Sequence, residues 1–377
     1  MSENVVITGL GMVTPLGENP ADILESVRLG ISAAATPSFD VSQFDCRVYA
    51  PIEQFDARKY FPENKALRLM NRDSQLAVTA ARFAMNDAGV MADREYRGED
   101  IALYGATGAA GMAVEEIAGI IKYAASDDGT LSLERFGRIA LRRVRPVLSF
   151  KILANMPVCF VSIFENIRGP NAVYTPWQGQ GAQAIVSGIR AISRGEASCA
   201  LVGGCDVRTR ELSFVNLQQL GMFESWKRYG KGAIPGEGAV FILLESERCA
   251  IARNRKCYAR ICHYAMRSVN SGVVLAKELT RLVSQLDISQ QPAAVIAAGD
   301  GDVFVAEAES EAMERAGLKP QKLLRPRAVI GDLYAASATA QLAIGARLAG
   351  ELTARQTILV NCFGCGSEQG CFILEAA

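Results

Sequence analysis

The feature that most constrains the fold is a repeated alternation. Short apolar runs closed by glycine are each followed by a stretch with apolar residues at helical spacing. Val5-Val-Ile-Thr-Gly-Leu-Gly reads as a buried strand entering a turn. Residues 71–88 carry Leu76, Ala77, Ala80, Ala81, Phe83 and Ala84 on one helical face, with Gly89 as a stop. Ile101-Ala-Leu-Tyr-Gly, Ala172-Val-Tyr-Thr and Cys199-Ala-Leu-Val-Gly-Gly are further buried strands, and 182–193 is a helix between the last two. Residues 239–245 are a strand that closes a first half. A second half restarts with strand 258–269, helix 273–286, strand 294–299, helix 305–316, strand 328–331, helix 336–348 and strands 357–361 and 370–375. Strands alternating with helices of this length predict βαβ units and a mainly parallel sheet. The two halves, 1–245 and 246–377, have no Pro/Ser linker between them, which predicts pseudo-duplicated domains packed together.

Composition narrows the function. The chain has 377 residues, half of them apolar, enough for one large domain or two fused halves. Acidic and basic residues balance at 40 each, so no net field favours nucleic acid or an anionic membrane. The basic spots at Arg142-Arg143-Val-Arg145 and Arg253-Asn-Arg-Lys256 read as solvated surface. The opening MSENVVITGLG lacks a basic n-region and a long apolar run, and no 18-residue stretch is apolar enough for a membrane. A cytoplasmic protein is expected, with its ten scattered cysteines reduced. Cys362-Phe-Gly-Cys365 spells C-x-x-C but has no second pair, so no metal or redox role is assigned to it. There is one histidine, His263, in an alternating segment where a structural role is expected. Any mechanism that needs two histidines is therefore excluded.

The pivotal stretch is Gly169-Pro-Asn-Ala-Val-Tyr-Thr-Pro-Trp-Gln-Gly-Gln-Gly-Ala-Gln-Ala-Ile. A strand delivers residue 178 to a tight turn at a helix N-terminus. Gly179 and Gly181 permit close backbone approach or positive φ. Free N–H groups at such a place favour an oxyanion or thiolate, so a nucleophile there would be activated. The residue is Gln178, whose amide exchanges hydrogen bonds but does not attack a thioester.

These stretches, taken in order, resemble the β-ketoacyl-acyl carrier protein synthases. The opening Val5 to Gly17, Phe55-Asp-x4-Phe61, Arg72-Asp-x-Gln75, Asp87-Ala-Gly, Gly169-Pro-Asn and Gly195-Glu-Ala follow the family order. So do Gly203-Gly204, Pro235-Gly-Glu-Gly-Ala and the loop Asn361-Cys-Phe-Gly-Cys-Gly. The resemblance covers essentially the whole chain. It implies an α/β thiolase fold, two similar halves in five αβαβα layers, working as a dimer.

Against that pattern the catalytic residues are missing. Gln178 stands at the nucleophilic cysteine, Ala298 at the first histidine, Asp300 at the neighbouring threonine and Asp332 at the second histidine. Arg327 replaces the family lysine, Cys365 the gating phenylalanine, and Glu309 falls where the family has a glutamate. Near the usual mouth of the site, Trp226, Lys227 and Gly230 take the places of a phenylalanine, an aspartate and an arginine. Decarboxylative condensation needs a thiolate and donors for the developing oxyanions, and both are gone.

Glutamine at the cysteine position resembles chain length factors, the non-condensing subunits of type II polyketide ketosynthases. That likeness implies a heterodimer with a catalytic ketosynthase carrying Cys-His-His, fed by an acyl carrier protein whose phosphopantetheine bears the chain. The subunit itself needs no cofactor, and no nucleic acid or membrane partner is implied. Trp177, Gln178, Met156, Phe160, Met112 and Cys365 are then candidates for the interface or the tunnel wall. Two other readings stand beside it. One is a malonyl-carrier decarboxylase that primes synthesis through the Gln178 amide. The other is a catalytically dead homodimer that binds acyl chains. An aromatic polyketide and a reduced aryl polyene are both open as products.

Overall fold

The computed structural model describes residues 4–62, 65–108, 114–144, 147–269, 275–286, 288, 290–299, 302–353 and 355–377. Ten strands lie among them: β1 (Val5–Val13), β2 (Ile101–Thr107), β3 (Asn171–Tyr174), β4 (Cys199–Val207), β5 (Glu237–Ser246), β6 (Ala259–Ser268), β7 (Ala294–Ile296), β8 (Lys322–Leu324), β9 (Thr357–Cys362) and β10 (Glu368–Glu375). They form one sheet in the order β3-β2-β4-β5-β1-β6-β10-β9-β7-β8. From either edge inward, each run of five visits its own third, second, fourth, fifth and first strand. The runs meet where Val5 pairs with Ile261 and Ile7 with Ala259. The position 245/246 falls at the end of β5.

Period-two alternation sorts the strand side chains into separate cores. Val240, Ile242 and Leu244 of β5 enter a central core with the helices Gln178–Ser193 and Ser337–Ala349. Their neighbours Phe241 and Leu243 enter an outer core with the helices Arg72–Ala88 and Met156–Glu165. On β10, Phe372 and Leu374 face the central core. Cys371 and Ile373 face another outer core with the helices Leu275–Val283 and Val303–Arg315. Helix, sheet, helix, sheet, helix is the five-layer αβαβα arrangement of the thiolase fold. The two helices of the middle layer are flanked by sheet on both sides, which is why 337–349 is buried almost throughout.

Local signals hold well for the long elements. Asn71 accepts from Ser74 N–H at 2.9 Å to cap the Arg72–Ala88 helix, and Gly89 closes it at φ +59°. Such a cap contributes about 1 kcal/mol.

Two expectations are corrected. The sheet is mixed, not mainly parallel: β2 runs parallel to β3 and β4, and β7 to β8 and β9, but the other pairings are antiparallel. A helical crossover returns a strand parallel, whereas a connection that stays at one end of the sheet returns it antiparallel. The short loop from Cys362 to Glu368 makes β9–β10 a hairpin of the second kind. The expected strand at 328–331 is instead the short helix Pro326–Ile330, opened by proline at its first turn and closed at Gly331. Four apolar residues do not separate a buried strand from one buried helical turn. The strand of that region is β8, which lies before the helix at the sheet edge.

Candidate functional site

Three residues link β3 to the Gln178–Ser193 helix, the last of them Trp177 in extended conformation at the helix N-cap. The helix starts four residues before the apolar spacing predicts, so Gln178 is its first residue. The glycines serve close approach and not unusual φ. A Cβ on Gly179 would stand 1.9 Å from the Glu368 carbonyl oxygen, and neither Gly179 nor Gly181 has positive φ. The elbow is thus wedged against the start of β10.

Gln178 is 2% exposed. Its Nε2 donates to Asp332 Oδ2 at 2.7 Å, and its Oε1 accepts from Cys365 Sγ at 3.2 Å. Gly364 packs against the amide so closely that a Cβ there would lie 2.5 Å from Oε1. Asp332 Oδ2 also accepts from Arg327 Nη2 at 2.6 Å, while its Oδ1 accepts from Tyr334 N–H and Ser337 Oγ, each at 2.8 Å. The bond from Tyr334 N–H holds that residue at φ +46°. Arg327 Nη1 donates to the Ala298 carbonyl and, at 3.2 Å, to the Phe363 carbonyl. The structure therefore joins Gln178, Ala298, Arg327, Asp332 and Cys365 in one buried network. Glu309 supports it from behind, taking bonds from Ala298 N–H (3.0 Å), Gly299 N–H (2.9 Å) and Asn361 Nδ2 (2.7 Å). Burial raises the Glu309 carboxyl above its ordinary range, against the pull of those donors.

The chemistry of this network is that of a clamp. The Asp332 carboxylate is saturated by four donors, and its charge is matched by Arg327. A developing oxyanion beside it would meet a negative group where a condensing site supplies donors. The nearest thiol is Cys365, on an exposed loop residue whose sulfur turns inward to Gln178. Burial, and then the Asp332 charge, push that thiol up to about 12, so it is protonated at neutral pH and is not an activated nucleophile. The Gln178 Nε2 that a decarboxylase would aim at a thioester is already committed to Asp332.

Other candidates fall elsewhere. Trp177 packs on Tyr334, with ring centroids 6.5 Å apart, at the edge of the network. Phe160 is buried in the outer core beside the Arg72–Ala88 helix, and Met156 packs on the same core. Neither joins the Gln178 network, so both belong to that outer layer. Met112 and Asp300 lie outside the described residues. His263 is an exposed residue of β6 paired with Ile373, consistent with no catalytic part. Trp226 and Lys227 lie in the short helix Glu224–Tyr229, closed by Gly230 at φ +65°. Trp226 donates to the Ala233 carbonyl at 2.8 Å and lines a groove of about 670 Å³ that reaches Arg327 and Glu309 from outside. Sequence reasoning missed Tyr334 and Ser337, which carry no motif, and the part of Asn361, which it named only as the start of the glycine-rich loop. It also missed Asp206 and Arg208, although a charged pair at the end of an otherwise apolar strand was a visible signal.

The sequence matches the family "Beta-ketoacyl synthase, N-terminal domain" over residues 2–250. The chain belongs to the β-ketoacyl synthase family. A curated relative, 3-oxoacyl-[acyl-carrier-protein] synthase 2 of Synechocystis sp., is 28% identical over 276 residues, 70% of this chain and 62% of that protein. The matched region thus spans less than two thirds of the relative's length. Among solved structures, the ishigamide ketosynthase/chain length factor superposes with a TM-score of 0.82 at 19% identity, over 100% of both chains. A type II polyketide synthase acyl-carrier protein in complex with its ketosynthase (AntDE:AntF) gives 0.78 at 16%, again over 100% of both chains. At these identities the likeness is one of fold.

Proposed function

We propose that this chain is the non-condensing, chain-length-factor-type subunit of a two-subunit ketosynthase. It pairs with a catalytic ketosynthase and forms part of the wall around the partner's chain while a polyketide grows on an acyl carrier protein. The observation that carries the reading is the Gln178–Asp332–Arg327–Cys365 clamp. The catalytic positions are not merely emptied but rebuilt into a self-satisfied buried network. That is what selection for a stable shell around someone else's chemistry leaves.

Two surface features support the partners. Eleven of the twenty-one exposed large apolar residues found among the described residues fall between 114 and 163, including Ile121, Leu133, Leu141, Phe150 and Leu153. Leu133 is 77% exposed. This stretch runs on to β3, one of the two edge strands of the sheet among the described residues. Concentrated apolar surface beside an unpaired strand edge fits a protein partner. A pocket of about 550 Å³ beside the same stretch is lined by Arg68, Arg143 and Lys151, with no acidic residue among the described lining residues, which suits an acidic carrier protein. Arg143 is held there over the Tyr123 ring at 4.1 Å.

Co-expression with a Cys-His-His ketosynthase and size analysis test the reading. A 1:1 complex that elongates malonyl groups on the carrier supports it. A stable homodimer that ignores the ketosynthase refutes it and favours the acyl-binding homodimer. Acetyl-carrier formation that is lost on Gln178→Ala while elongation persists would instead establish the priming decarboxylase.

A further inference from the structure

A second buried polar cluster lies on the Trp177 side of the elbow. Arg208, just past the end of β4, is 3% exposed. Its guanidinium stands over two rings, 5.9 Å from the Trp177 centroid and 5.4 Å from that of Tyr334. Its Nε lies 2.9 Å from Asp206 Oδ1, and both side chains are buried. Asp73, at the start of the Arg72–Ala88 helix, is buried too, and its charge acts on both partners of that pair. The chain leaving β2 runs directly over the carboxylate: a Cβ on Gly108 would lie 2.0 Å from Asp206 Oδ1. The space is therefore filled, and filled with charge. Asp206 Oδ2, Arg208 Nη2 and Thr107 Oγ1 are all buried with no hydrogen-bond partner among the described residues. Buried polar atoms left unmatched are costly, and packing alone would favour an apolar side chain at this place. The residues around the cluster are those that hold the elbow, since Trp177 precedes Gln178 and Tyr334 lies two residues after Asp332, to which its N–H donates.

We infer that Arg208 is a specificity-determining plug that shuts acyl chains out of this subunit's own elbow. A hydrocarbon chain gains by leaving water for apolar walls. Entering here, it would have to push the guanidinium off two aromatic faces and leave the Asp206 carboxylate buried without its cation. Combined with the heterodimer reading, on which this consequence rests, the plug keeps the growing chain in the tunnel that the two subunits wall together and out of this subunit's own elbow. Arg208 touches no reacting atom and acts only by occupying space and fixing charge.

The test counts acyl chains by native mass spectrometry with dodecanoic acid as probe. The wild-type chain is expected to bind none, either alone or within the complex beyond what the partner binds by itself. The double variant Arg208→Ala/Asp206→Ala removes the plug together with its ion-pair partner. It is expected to gain one bound chain and at least a tenfold rise in affinity. A wild-type chain that already holds dodecanoic acid overturns the inference, as does a folded double variant that gains none. If the double variant does not fold, wild-type labelling by a diazirine-bearing dodecanoyl pantetheine decides. Label that spares Trp177 and Tyr334 supports the plug, and label at either of them overturns it. Failure to form the heterodimer would sink the proposed function but not this count, which is also read on the chain by itself.

Discussion

The clamp makes a quantitative demand on Arg327. Replacing it by methionine keeps most of the stem volume and removes the guanidinium. Asp332 loses the 2.6 Å ion pair, and the carbonyls of Ala298 and Phe363 lose a donor, all in a buried setting. The three remaining donors to Asp332 keep its hydrogen bonds but not its charge balance. Removing one member of a buried pair costs about 3–5 kcal/mol. For 377 residues, an unfolding entropy of about 2.1 cal/mol/K per residue converts this to a fall of about 4–6 °C in Tm. The double variant Arg327→Met/Asp332→Asn removes both charges and should recover more than half of that loss. Thermal unfolding followed by circular dichroism measures both. A single variant within about 1 °C of wild type, or a double variant as damaged as the single, would show that the network is not the clamp described.

Three further outcomes are expected. Gln178→Cys should not restore condensation, because Asp332 and Ala298 supply no donors for the oxyanion; acylation of residue 178 followed by elongation in the chain alone would contradict this. Burial is the main cause that raises the Asp206 carboxyl to about 7, with Asp73 adding and Arg208 opposing. Between about pH 4 and pH 7 the folded chain then holds a proton that the unfolded chain has released, so stability falls as pH rises, by up to about 1.4 kcal/mol per unit. Asp206→Asn should flatten that part of a Tm-against-pH curve, and an unchanged slope would assign it to another group. Leu133→Asp with Leu141→Asp should weaken heterodimer formation at least tenfold in sedimentation or pull-down while leaving the far-UV spectrum intact.

How far the sequence carries the account varies with the element. The long helices and the strands around them were readable because period and caps agree, as at Asn71 and Gly89. Strand direction was not readable, since it depends on where a connection returns and not on residue pattern. The helix at Pro326–Ile330 was misread because its apolar run is too short to show a period. The five network residues were legible only through alignment to a family motif. What they do to one another was not: the Gln178–Asp332 bond links positions 154 residues apart. Phe160 and Met156 were named as interface or tunnel candidates by family analogy, and the sequence does not tell which face of the Met156–Glu165 helix meets which layer. Arg208 is not legible as buried because an arginine just after a strand is normally surface.

The central claim is that this chain shapes a condensing site without performing condensation. It is tested most directly by measuring elongation of malonyl-acyl carrier protein with the chain alone, with its catalytic ketosynthase alone, and with the two co-purified. The account predicts no elongation by the chain alone, and full-length product only from the pair. Condensation by the isolated chain, or the same product length from the ketosynthase without it, would contradict the account.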